Sequence, residues 1–138
     1  VVSDHRPIPP GLKEGDYQSV WCGIASVGLR LPLVWTGAVV RGCTLTQVAD
    51  WLAAGPAWLA GFAGRGVIAP GTAADLCVFD PDGELIVGWG GRHSVSAGNP
   101  YEGRRLRGRV ESVYLDGRMV LGADAVDEQP AGRLLRRG

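Results

Sequence analysis

Asp4 and His5 are the residues whose chemistry stands out, and they sit in the run Val1-Val2-Ser3-Asp4-His5-Arg6-Pro7. A carboxylate can ligate a divalent cation and can also take up and release a proton. Two β-branched apolar residues before it predict the end of a buried strand, and the proline after it stops any regular continuation. A polar pair at a strand tip is where α/β enzymes place their chemistry. On this reading most of the machinery that uses Asp4 lies upstream of Val1. The first residue, Val rather than Met, fits a fragment or a processed product. The plainer reading of Ser3-Asp4 is an Asx turn capping the loop that follows.

Few other residues compete. His93 is the other histidine. With Asp4 and His5 it forms a three-ligand site only if distant segments converge, because the spacing of a zinc signature is absent. Its alternative is an exposed loop histidine. Cys22 could serve as a nucleophile, but nothing near it in sequence orients it. Gly23, within Val20-Trp21-Cys22-Gly23-Ile24-Ala25-Ser26, lets a backbone approach either a ligand or a neighbouring element. Catalytic carboxylate pairs at short spacing are missing. Gly88-Trp89-Gly90-Gly91 does not stand between a strand and a helix, so it is not a phosphate loop.

Composition narrows the class. The 138 residues are enough for one modest domain, and 46% are apolar, which suits a core-forming chain. Gly 22 and Pro 9 imply many turns and short elements, as at the end of a larger fold. Fourteen basic and fourteen acidic residues cancel, which argues against nucleic acid or an anionic membrane as the main partner. The clusters at Arg104 to Arg109 and Arg133 to Arg137 read as solvated loop and tail arginines. Cys22, Cys43 and Cys77 are far apart, without a CxxC, and read as reduced core cysteines of a cytosolic protein. No signal peptide is visible. Val20 to Val40 is apolar, but Arg30 and Pro32 in its middle favour a buried pair of helices over a membrane span.

Helices fill the first half. Residues 8 to 19 form a loop opened by Pro9-Pro10-Gly11, which neither starts a helix nor pairs in a sheet interior. Helical pieces follow over roughly Ile24 to Leu29 and Leu31 to Arg41, with Pro32 in a first turn and Gly42 as the stop. Thr44 and Gln47 have the spacing of a capping box, and Leu45, Val48, Ala49 and Leu52 then share a helix face. Gly55-Pro56 ends that helix, and a short one from Ala57 to Ala60 closes at Gly61. Trp51 and Trp58 read as packing residues.

Short strands fill the second half. Leu76-Cys77-Val78-Phe79 ends at the turn signal Asp80-Pro81-Asp82-Gly83, with Glu84 to Val87 as a possible hairpin partner. Residues 88 to 109 read as irregular. Val110 to Leu115, Asp116-Gly117 and Arg118 to Leu121 make the strongest hairpin signal, since Asp-Gly supplies the positive φ angles of a tight turn. A boundary falls near Phe62 to Arg65, and the sequence has no internal repeat.

Several stretches, in order, resemble the C-terminal part of cyclic amidohydrolases, the allantoinases above all. Ser3-Asp4-His5-Arg6-Pro7 resembles the Ser-Asp-His-Ser-Pro run after the last barrel strand, and Trp21-Cys22-Gly23-Ile24-Ala25 a Trp-Gly-Gly-Ile-Ala run. Leu31-Pro32-Leu33-Val34-Trp35-Thr36 is similar to the next helix. Pro56-Ala57, Gly66-Val67-Ile68-Ala69-Pro70-Gly71 and Ala74-Asp75-Leu76 resemble the passage into a small β domain. Pro100 to Arg104 and Val113 to Gly117 resemble its closing segments.

The resemblance implies an α/β fold: the C-terminal end of a (β/α)8 metal-dependent hydrolase barrel, followed by part of a small β-sandwich domain. It places the last strand and helices in residues 1–62, the β domain portion in 63–121 and a tail in 122–138. It implies a zinc-dependent enzyme that opens the cyclic amide of allantoin to give allantoate, with two zinc ions per full-length subunit and a cytoplasmic homo-oligomer, dimer or tetramer. Asp4 matches the position of a metal ligand that also carries the reaction's proton. Cys22 and Gly23 would meet the substrate through their backbone, with His5 and Arg6 supporting the site. The other ligands, four histidines and a carboxylated lysine, would lie upstream; Lys13 stands in the wrong loop. Arg6, Cys22, Gly37, Gly55 and Ala73 depart from the pattern, in place of Ser, Gly, Glu, Asn and an acidic residue. A dihydroorotase- or hydantoinase-type enzyme and a non-catalytic relic are the alternatives.

Overall fold

The computed structural model describes residues 1–88, 99–122, 129, 130 and 132–135. After a one-turn 3-10 helix at Pro10–Leu12, a second 3-10 turn at Val27–Leu29 leads directly into α1, Arg30–Val39. Leu31, Val34, Trp35 and Ala38 recur at helical spacing, and Trp35 and Ala38 are buried. Gly42, at φ 72°, stops the helix. The Gly42 N–H donates to the Val39 carbonyl at 3.1 Å and the Cys43 N–H to the Ala38 carbonyl at 3.1 Å, which together make a Schellman closure.

Thr44 starts α2, Leu45–Ala49, through a complete capping box with Gln47. The helix does not end at Gly55-Pro56. It widens into a π-helical turn, Asp50–Ala54, and continues as α3, Gly55–Ala60. The Gly55 N–H reaches back to the Asp50 carbonyl. That wider turn admits Pro56, which has no N–H to give. Val48, with 0% exposure, packs with Leu52 against α1. Trp58 faces the other way and is 83% exposed, with Trp51 at 39%; the two tryptophans do not build this core.

The sheet is antiparallel with order β1-β2-β3. β1 spans Leu76–Ile86, β2 Arg105–Leu115 and β3 Arg118–Leu121. Here the turn signal at Asp80-Pro81-Asp82-Gly83 misleads. Asp80 pairs with Arg109 and Glu84 with Arg107, so the segment is a bulge in one strand rather than a hairpin turn. Residues 81 to 83 stand opposite Gly108 alone. Residues 105 to 109, expected to be irregular, supply the other half of this pairing.

The core explains the bulge. The Trp35 indole N–H donates to the Pro81 carbonyl at 2.8 Å, and the Trp35 ring meets Phe79 edge to face at 6.4 Å. Gly108, at φ 90°, passes so close that a β-carbon there would lie 2.2 Å from Phe79 and 2.7 Å from Trp35. Helices and sheet therefore share one apolar cluster. The Asp116-Gly117 turn has φ 52° and 80°, as a two-residue hairpin needs. Asp75 braces it: one carboxylate oxygen accepts the Asp116 N–H at 2.8 Å, and the other pairs with Arg65.

Other expectations are corrected. Among the described residues Val1 and Val2 form no strand, and Val2 is 78% exposed; the nearest pairing is the isolated parallel bridge between His5 and Ile24. Pro10 does open a helical turn, at the first position, where its missing N–H costs nothing. All three cysteines are free, but Cys22 and Cys77 are exposed and only Cys43 joins the core. The arginines at 105, 107 and 109 lie on β2, paired with Glu84, Asp82 and Glu111. No helix among the described residues is long and apolar enough to cross a membrane.

Candidate active site

Asp4 is exposed and has φ 46°, a left-handed conformation that few residues with a side chain adopt, aspartate and asparagine most often among them. Its two neighbours are tied to one point of the fold. The Ser26 hydroxyl donates to the Ser3 carbonyl at 2.8 Å. The Ser26 and Val27 N–H groups donate to His5 Nδ1 at 3.0 and 3.1 Å. One residue further, the Arg6 N–H donates to the Ile24 carbonyl at 3.0 Å.

The receiving segment is itself fixed. Ala25 and Ser26 are buried at 6% and 7% exposure. The Asn99 side-chain amide donates to the Ala25 carbonyl at 3.0 Å, and its oxygen accepts the Tyr101 N–H at 3.0 Å. Ser26 and Asn99 carry this site's geometry, and reading the sequence assigned them no role. The local signals available were the Asn-Pro dipeptide at 99–100 and a lone serine before a helix.

Gly23 meets a neighbouring element. A β-carbon at Gly23 would sit 2.4 Å from the Arg6 carbonyl oxygen and 2.8 Å from Ile8, which is itself buried. Cys22 is exposed, and the Arg6 guanidinium donates to its sulfur at 3.9 Å. Asp4, His5, Arg6, Cys22 and Gly23 thus occupy two adjoining strips joined by the His5–Ile24 bridge. The backbone groups of Cys22 and Gly23 pair with no other backbone group among the described residues.

The loop between the strips has its own order. The Asp16 carboxylate accepts the N–H groups of Gln18 and Ser19 and the Ser19 hydroxyl, at 3.1, 2.9 and 2.8 Å. The Ser19 hydroxyl, then those two N–H groups, hold this carboxyl below its ordinary value. Tyr17 stands at the tip, 96% exposed.

As a metal site, these residues offer one corner. Among the described residues no three His, Cys, Asp or Glu gather into one group. His93 lies outside the described residues. His5 Nδ1 is occupied by backbone donors, which leaves the Asp4 carboxylate as the oxygen donor suited to a hard or borderline cation.

No family model matches the chain. It is 38% identical over 137 residues to an allantoinase of Streptomyces avermitilis, covering 99% of this chain and 31% of that protein. It is 41% identical over 138 residues to an allantoinase of Rubrobacter xylanophilus, covering 99% and 30%. A Saccharomyces cerevisiae allantoinase is 36% identical over 140 residues, covering 98% and 30%. Among solved structures, a D-hydantoinase (dihydropyrimidinase) from Thermus sp. superposes with TM-score 0.80 at 27% identity, covering 91% of this chain and 29% of that one. A D-hydantoinase from Bacillus sp. AR9 gives TM-score 0.77 at 30% identity, covering 86% and 28%. The chain spans about a third of the length of the curated relatives it matches. Along nearly all of its own length the chain is similar to a segment of allantoinases in sequence and to a segment of hydantoinases in fold, a match that supports the allantoinase and cyclic amidohydrolase family, as a fragment.

Proposed function

We propose that this chain is the C-terminal portion of an allantoinase-like, metal-dependent enzyme that hydrolyses the cyclic amide of allantoin to allantoate. Residues 1–62 would be the end of a (β/α)8 barrel and 63–121 part of its small β domain. The supporting observation is Asp4: an exposed carboxylate held between two anchored neighbours, in a chain aligned from end to end with allantoinases.

In the full-length protein Asp4 would hold one divalent cation, with the remaining ligands supplied from upstream. Two such cations, zinc on this reading, would when bound acidify water and polarise the amide carbonyl. Asp4 accepts a proton from the attacking water and delivers it to the ring nitrogen as the carbon–nitrogen bond breaks. Atoms balance: the carbonyl carbon gains the hydroxyl of water, and the departing nitrogen gains its proton. A carboxylate suits both halves of that transfer. The backbone groups of Cys22 and Gly23, which pair with no other backbone group among the described residues, are suited to hydrogen-bond a ureide ring. Arg6 places a cation beside that strip.

The hydantoinase likeness favours one further reading, a hydantoinase- or dihydropyrimidinase-type substrate. The test is metal analysis of the full-length protein together with assays on allantoin, hydantoin and dihydroorotate. Allantoin turnover with bound metal, nearly abolished by Asp4→Asn, is the expected result. Normal turnover by Asp4→Asn would remove Asp4 from the mechanism. Preference for hydantoin would transfer the chain to the second reading.

A further inference from the structure

We propose that His5 is a positioning residue for Asp4: its ring caps the Val27–Leu29 turn, which leads into α1, from another segment and thereby fixes the left-handed backbone that aims the Asp4 carboxylate. The proposal rests on the reading of Asp4 as ligand and proton carrier.

The first N–H groups of a helix have no partner within it. Ser26, which precedes the Val27–Leu29 turn, does not cap that turn with its own side chain. Its hydroxyl goes instead to the Ser3 carbonyl at 2.8 Å. The N–H groups of Ser26 and Val27 go to His5 Nδ1 at 3.0 and 3.1 Å. Asp4 is thus bracketed, with Ser3 and His5 both bonded to Ser26, and between them it takes the left-handed φ of 46°. Aspartate enters that region more readily than most side chains, and here both flanking residues are bonded to Ser26. An Nδ1 that accepts two N–H groups leaves the ring proton on Nε2, an assignment that follows from the donors.

The anchor reaches into the core. Ser26 is 7% exposed, the Asn99 amide holds the adjoining Ala25 carbonyl, and α1 carries Trp35 into the apolar cluster. The link runs from packed helix to imidazole to carboxylate, and its chemical requirement is an acceptor at the δ position of residue 5. Asparagine can place its Oδ1 there; phenylalanine has no acceptor.

The experiment uses the full-length protein with allantoin as substrate and compares Asp4→Asn, His5→Phe, His5→Asn and wild type. A misplacement of about 1 Å at a reacting group can cost about a hundredfold in rate. His5→Phe should therefore lower kcat by about that factor with little change in KM, and His5→Asn should restore most of it. Amide hydrogen exchange at Ser26 and Val27 reads the clamp without turnover: protection should fall in His5→Phe and return in His5→Asn. Unchanged kcat, or unchanged Val27 protection, in His5→Phe would overturn the proposal while an inactive Asp4→Asn left the Asp4 reading standing. His5→Asn as poor as His5→Phe in both readouts would also overturn it. Full turnover by Asp4→Asn would sink the Asp4 reading and this proposal with it.

Discussion

The Trp35 indole N–H donates to the Pro81 carbonyl at 2.8 Å, and so joins the middle of α1 to the bulge of β1. The bulge residues 81 to 83 face only Gly108 across the strands, so no ladder bond can take up that carbonyl. Trp35→Phe should destabilise the protein by roughly 1 kcal/mol, the net worth of a part-buried hydrogen bond. Trp35→Ala should cost about 3–5 kcal/mol, since it also empties part of the core. Denaturant midpoints of the full-length variants check both values, and a Trp35→Phe midpoint equal to wild type would show the bond to be dispensable.

Gly108 should tolerate no side chain. A β-carbon at Gly108 would stand 2.2 Å from Phe79, and its φ of 90° suits glycine alone. Gly108→Ala should destabilise by at least about 2 kcal/mol, through strain and overpacking together. If truncating Phe79 in the same chain returns part of that loss, the collision with Phe79 is a cause; no recovery would point to the backbone angle or to Trp35, the other group in the way.

Thr44 is a local device with a local readout. Its hydroxyl accepts the Gln47 N–H, and the Gln47 side chain accepts the Thr44 N–H at 2.8 Å. Thr44→Ala should cost about 1 kcal/mol, and Thr44→Ser much less. Hydrogen exchange of the first-turn amides of α2 should rise in the first variant and not in the second.

Acid should loosen the loop around Tyr17. Asp16 has its folded pKa depressed below 3.8 by the Ser19 hydroxyl and the N–H groups of Ser19 and Gln18. A depressed carboxyl contributes stability that is present above 3.8 and is lost as pH falls through the lower folded value. Exchange rates of the Gln18 and Ser19 amides, corrected for intrinsic pH dependence, should therefore climb below that point. Asp16→Asn should flatten the response, and an unchanged pH profile in that variant would assign the effect elsewhere.

Residues 1–138 alone should show no hydrolase activity. A single carboxylate does not hold two cations, and no further ligand group forms among the described residues. Zinc-dependent opening of allantoin by this segment in isolation would refute the reading that the remaining metal ligands lie upstream.

What could be read from the sequence was whatever a few neighbouring residues decide. The Thr44–Gln47 cap, the Gly42 stop and the Asp116-Gly117 hairpin are settled by local hydrogen bonds and φ preferences, and all three are present. Asp80-Pro81-Asp82-Gly83 carries the same local chemistry in a turn as in a bulge. Trp35 and Gly108 decide between them, and both are distant in sequence. Gly55-Pro56 ends most helices, but a π-helical turn carried this one through. Asp4 stood out by type and by resemblance. Its left-handed backbone and its dependence on Ser26 did not, because each arises from contacts across the loop.

The bridge between His5 and Ile24 closes the intervening chain at its base. Everything from Arg6 to Gly23 leaves and returns at one fixed junction. Changing the length of such an excursion adds only a slowly growing, logarithmic entropy cost. The loop can therefore lengthen, shorten or exchange its tip without disturbing the carboxylate at its root. On that geometry, the tip of the excursion and the backbone at its root are free to diversify at different rates.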